Sequence, residues 1–96
     1  MDFESRINDA IKEMSKIGYK PHIFMGMRIQ NGTIDAIKKL IYSVEIPSGF
    51  TTLWENQRLD LSVENIIQED EWKDLFTEED RLVAKKRLKD YGYIIK

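Results

Sequence analysis

The chain reads as an all-α domain, a compact bundle of five to seven short helices. Three observations predict it. Apolar residues recur at spacings of three and four, and no stretch sustains an alternation of period two. Glycine, proline or a capping residue bounds most of the periodic segments. The 96 residues make one helical domain, 1–96, and leave no room for a second core.

The elements follow in chain order. Phe3, Ile7, Ala10, Ile11, Met14 and Ile17 form one stripe on a first helix, and Gly18 stands where a left-handed C-cap is wanted. Pro21 suits the first turn of a second helix, Pro21 to Gln30. Its apolar residues (Ile23, Phe24, Met25, Met27 and Ile29) lie on more than one side, so it is expected to be central. Asn31-Gly32 breaks it. Thr33 is the expected cap of a third helix with Ile34, Ala36, Ile37, Leu40 and Ile41 on its buried face. Val44 to Gly49, with Pro47, reads as the longest loop. Its start, Val44 to Ile46, is the one strand-like stretch, and a lone strand makes no sheet.

Phe50 to Gln57 reads as a short helix capped by Thr51 or Thr52, with Leu53 and Trp54 as anchors. Asp60 or Ser62 caps the next helix, through Val63, Ile66 and Ile67, and Trp72 to Phe76 is a short turn. Thr77 and Asp80 resemble a capping box before the last helix, which carries Leu82, Val83, Ala84, Leu88 and Tyr91 and ends at Gly92.

Composition excludes several chemistries. With no cysteine there is no disulfide scaffold, thiolate metal site or cysteine nucleophile, and His22 alone cannot form a multi-histidine site. No apolar run approaches the roughly 18 residues that span a bilayer. The start of the chain lacks the pattern of a secretory signal. The expected setting is cytoplasmic, without membrane contact. No metal and no cofactor are expected, since no nucleotide-binding or hydrolase motif is present.

A net charge of -2 conceals a polarity. Residues 64–80 hold eight acids against Lys73. Residues 81–96 hold Arg81, Lys85, Lys86, Arg87, Lys89 and Lys96 against Asp90. Helix electrostatics accounts for acids at the start of a helix and bases toward its end. The functional alternative is a basic face of Lys85, Lys86 and Lys89, with Lys38 and Lys39, turned to phosphate or an acidic partner.

The densest cluster of informative residues runs from Gly49 to Glu64. Phe50, Trp54, Arg58, Asp60 and Glu64 form either a structural hub or a binding pocket. In the hub, Arg58 presents its planar fork to Asp60 or Glu64, and apolar anchors bury the linker. In the pocket, Arg58 binds an anion and a carboxylate acts as acid or base. Carboxylate pairs such as Asp60 and Glu64, or Glu69-Asp70-Glu71, lack the ligand spacing of a calcium loop.

The runs GFTTLWE, RLDLSVE, LFTEEDR and RLKDYGY, read through Gly49, Glu64, Arg81 and Tyr93, resemble a family of small bacterial helical domains. RLDLSVE is the most specific part, and the resemblance covers most of the chain. It implies one helical unit and carries no activity or catalytic residues. It directs attention to residues 16–20 and 49–64. The expected function is a non-enzymatic protein-binding or adaptor module that meets a partner protein or a second copy of itself. The alternative is a nucleic-acid-associated accessory domain using the basic last helix. A third reading is a small enzyme working through Arg58, Asp60 and Glu64.

Overall fold

Helix α1 (Phe3–Lys16) begins where the Asp2 carboxylate accepts the Ser5 N–H, and it buries Phe3, Ile7, Ala10 and Met14 on one side. It ends as the sequence predicts. Gly18 turns left-handed at φ +80°, its N–H reaches the Ser15 carbonyl, and the Tyr19 N–H reaches that of Met14. This is a Schellman closure, and the last helix repeats it at Gly92 and Tyr93. The computed structural model describes residues 1–95. Lys96, counted in the basic segment, lies outside the described residues.

Five more helices follow: α2 (His22–Asn31), α3 (Thr33–Ile41), α4 (Ser48–Glu55), α5 (Val63–Ile66) and α6 (Glu78–Asp90). Single 3-10 turns at Leu59–Leu61 and Asp70–Trp72 join the later ones. The domain is all-α, with no strand among the described residues; Val44 to Ile46 is loop. Among the described residues no helix is long and apolar enough to cross a membrane.

The core is drawn mainly from α1, α3, α5, α6 and the turns between them. Ile7, Ile37, Ile41, Ile66, Ile67 and Leu88 are essentially sealed from solvent. Phe3 meets the Trp72 and Phe76 rings edge to face, with centroids 5.2 and 5.6 Å apart. Ser62 caps α5 by accepting the Asn65 N–H. The Thr77–Asp80 capping box of α6 forms in both directions, with Asp supplying the reciprocal carboxylate.

Three expectations are corrected. The second helix is not central: of its residues only Phe24 is buried, while Ile23, Met25 and Ile29 face outward. It leans on α3 as one arm of a helical hairpin and is tied to α1 by Arg28, so the side bearing Ile23, Met25 and Ile29 is left outward. Thr33 does not cap α3 by a side-chain bond. It is the first helical residue, with its hydroxyl between Arg28 and Glu4. Thr51 and Thr52 do not cap α4, which starts earlier, after Pro47.

Arginine side chains fasten these elements. Arg6 of α1 forks onto Glu69, whose carboxylate also accepts the Trp72 indole N–H at 2.8 Å. Arg28 ties α2 to Asn8 and Glu4 of α1. Arg81 donates to the carbonyls of Ile67 and Gln68 just past α5. Arg87 makes the most contacts. One of its terminal nitrogens donates to Glu64 Oε2 and to the Leu40 carbonyl, each at 3.0 Å. The other donates to the carbonyls of Ile41 and Ser43 at 3.2 and 3.1 Å. The guanidinium thus closes the C-terminal end of α3, neutralises a carboxylate on α5 and holds both to α6.

Removing one partner of a buried pair leaves the other charge uncompensated, at about 3–5 kcal/mol. Arg87→Ala is therefore expected to lower Tm by roughly 12 °C or more in thermal denaturation. Adding Glu64→Gln to that variant is expected to recover part of the loss, because the stranded charge goes. A single variant that melts like the wild type would refute the clamp.

Candidate functional site

The stretch from Gly49 to Glu64 does not form one constellation. Arg58 and Asp60 pair with each other through two bonds of 3.1 and 3.2 Å at the surface. Their side chains remain 35% and 47% exposed. Glu64 is turned away from them. Its side chain is 3% exposed and its partner is Arg87. Burial pushes the Glu64 carboxyl above its usual range, and the Arg87 charge opposes that shift. Arg58, Asp60 and Glu64 are thus not gathered as an acid–base site. Of the two carboxylates weighed for Arg58, the geometry selects Asp60.

The aromatic members divide as well. Phe50 is buried and packs edge to face on Tyr91 at 5.0 Å, with the Arg87 guanidinium 5.9 Å from its ring centre. Trp54, expected as a buried anchor, is 45% exposed. It lies across Tyr91 at 5.4 Å, and its indole N–H donates to the Tyr91 carbonyl at 3.2 Å. The hub is therefore a junction of α4 with the end of α6, and the buried ion pair that stiffens it is Glu64–Arg87. Arg87 escaped the sequence reading because it stood inside a basic run. The available signal was its place on the Ala84–Leu88–Tyr91 stripe, where a charge must be buried and paired.

Beside this junction lies a groove of about 660 Å³. Met14, Tyr19, Pro21, Ile23 and Phe24 form one wall, and Leu40 with Ser43, Glu45, Ile46 and Pro47 of the following loop forms another. Phe50 and Leu53 of α4 and Val63 and Glu64 of α5 complete the lining, which is largely apolar. Tyr19 is positioned by the turn at Gly18, and its hydroxyl occupies the place a Cβ on Gly49 would take. Glycine at 49 is thus what allows the α1–α2 corner to close on α4. Burial pushes the Tyr19 phenol up. Ile23 and Ile46 of the lining are exposed. Both segments flagged in the sequence, 16–20 and 49–64, contribute to this groove, yet neither alone predicts it. The 43–47 loop and α2 complete it.

Comparison with protein-family models, curated proteins and solved structures finds no match.

The basic face is the remaining sequence-level candidate. Lys85, Lys86 and Lys89 are exposed on α6. Lys86 bonds Asp90 at 2.9 Å, and the exposed Glu78 and Glu79 open the same helix. Lys38 stands 3.7 Å from Asp80. Asp80 also accepts the Tyr42 hydroxyl at 2.6 Å and the Thr77 N–H at 3.0 Å. Burial raises the Asp80 pKa, but these donors outweigh it, so the carboxyl lies below its usual value. The same bond to Asp80 pushes the Tyr42 phenol up to about 12. No group of three or more metal-ligating side chains occurs among the described residues.

An exposed pair contributes at most about 1 kcal/mol. Arg58→Ala is therefore expected to shift Tm far less than Arg87→Ala, as parallel melting curves would show. Spectrophotometric titration of the tyrosines is expected to contain a component near pH 12 that Tyr42→Phe removes. The sign follows from the raised value: the bond stabilises the fold fully below the unfolded phenol value of about 10 and is lost as pH climbs through the folded one.

Proposed function

We propose that this domain is a non-enzymatic protein-binding module that seats an apolar segment of a partner protein in the groove between α2, the 43–47 loop and α4. One observation carries the reading: an apolar groove of about 660 Å³ includes the exposed Ile23 and Ile46 in its lining. Soluble domains bury such surface unless something recognises it. The partner segment this favours is amphipathic, with one or two large apolar side chains entering the groove and polar flanks. Lys20 and Glu45 at the rims offer those flanks one charge of each sign. The cysteine-free composition supports a reducing cytoplasm as the workplace.

The two other readings have less behind them. A nucleic-acid role rests on lysines that share α6 with acids, and every arginine of the chain is already engaged in an intramolecular bond. An enzyme role needs a free nucleophile beside a base; Glu64 is paired with Arg87, and the Ser62 hydroxyl that lines the groove with it donates to the Leu59 carbonyl and caps α5.

Selection from a displayed random peptide library is expected to enrich sequences with paired large apolar residues. Ile46→Asp, at an exposed position that leaves the melting curve unchanged, is expected to weaken the selected peptides at least about tenfold in titration. Failure to enrich any such sequence, or equal binding by the variant, would refute the groove as the docking site.

A further inference from the structure

A second surface, which shares His22 and Ile23 with the edge of the groove, covers the outer side of α2. His22, Ile23, Met25, Gly26, Ile29 and Gln30 face outward there, with Ile23 70% and Ile29 88% exposed. Gly26 lies at the middle of this face by helical spacing. A glycine inside an exposed helix weakens it relative to alanine. Nothing within the chain requires one, since a Cβ at Gly26 would meet no atom within 4 Å and its backbone is ordinary α-helix. A helix that bears large apolar residues around a bare backbone patch is shaped for close approach by another helix.

We propose that the occupant is a second copy of this chain, whose α2 crosses the first antiparallel at Gly26. A two-fold contact brings a patch against itself, so a charged patch would repel its copy. This face carries no Asp, Glu, Lys or Arg. Arg28, the one charged residue of α2, is turned inward onto Glu4, Asn8 and Thr33. The helix ends complement one another as well. The N-terminal end of α2 has no acidic residue in its first turn and no side-chain cap, and Lys20 stands just before it. An antiparallel crossing brings Lys20 and that positive end toward the negative end of the partner's helix dipole. At Gly26 the two backbones meet without intervening side chains. One ten-residue helix is smaller than a standard interface of about 800 Å² per partner. The association is accordingly weak and concentration-dependent.

Sedimentation equilibrium from about 1 μM to about 1 mM is expected to show the average mass rising toward twice that of the chain. Ile29→Lys places a charge on the face and is expected to raise the dimer dissociation constant at least about tenfold, with an unchanged melting curve for dilute protein. Gly26→Ala gives the most specific result. It is expected to raise Tm in dilute solution, by helix propensity, and to weaken self-association, by holding the backbones apart. A single chain mass throughout the range would overturn the proposal, as would Ile29→Lys or Gly26→Ala proteins that associate as tightly as the wild type. The groove variant Ile46→Asp is expected to dimerise normally, so failure here and failure of the groove reading are separate outcomes.

Discussion

The bond between Arg87 and Glu64 is the constraint around which the fold is arranged. A guanidinium buried in a small helical domain must satisfy its N–H groups, and in this chain the acceptors come from two other helices. Glu64 supplies the counter-charge from α5. The last carbonyls of α3 and the loop behind it supply the rest. Those carbonyls are among the groups a helix terminus leaves unbonded. Two separate deficits, an uncapped helix end and a buried carboxylate, thus meet in one side chain. The position of α6 against α3 and α5 follows from it, and so does the course of the 43–47 loop that walls the groove.

The same economy runs through the other arginines. Arg6, Arg28 and Arg81 each join elements distant in sequence, using planar forks on carboxylates, amides or carbonyls. Lysine is used differently: Lys12, Lys16, Lys85 and Lys89 are exposed, and the ion pairs of Lys16 and Lys86 are surface contacts within one helix. The inward pairs thin the acid-rich segment and the basic helix without removing their polarity: Asp70, Glu71, Asp74, Glu78 and Glu79 stay exposed, as do Lys85, Lys86 and Lys89. Glu64, Glu69 and Asp80 are drawn inward to partners, and Arg81 and Arg87 leave the surface with them. The charge left outside on α6 is Glu78 and Glu79 in the first turn and Lys85, Lys86 and Lys89 toward the end, with Asp90 beside Lys86.

What the sequence revealed and what it hid follow the same division. Helical stripes, the glycine closures at Gly18 and Gly92 and the Thr77–Asp80 capping box were legible because they depend on residues within one or two turns. The order and number of helices followed. Tertiary choices were not legible. Arg58 had two carboxylates within reach in sequence, and Glu64 was claimed by an arginine 23 residues away. Trp54 looked like core by type, yet the α4 terminus leaves it half outside with its indole N–H on a backbone carbonyl. Helix α2 misled for the opposite reason: apolar residues on several sides suggest burial from all sides, but α3 and α1 cover only the side of Phe24. The groove as a whole could not be read, because residues 16–20 and 49–64 supply only part of its walls and α1, α2, α3 and the loop after it supply the rest.

That surplus of apolar surface on α2 is where the structural and functional arguments meet. Alternative uses for it inside the chain are closed: the core is filled by other helices, and no buried side-chain polar atom among the described residues lacks a partner. Rearranging the chain to bury Ile29 would therefore break satisfied bonds, including those of Arg28. Helix α2 itself is held by Phe24, by the Arg28 network and by its packing on α3. It is thus an arm fixed at its inner side, with apolar residues left on the others. Ile23 lies on both the groove wall and the outer face, so occupancy of one surface changes the surroundings of the other. Any resulting coupling is reciprocal: a segment that eases self-association by seating against Ile23 is itself bound more tightly by the pair than by the single chain.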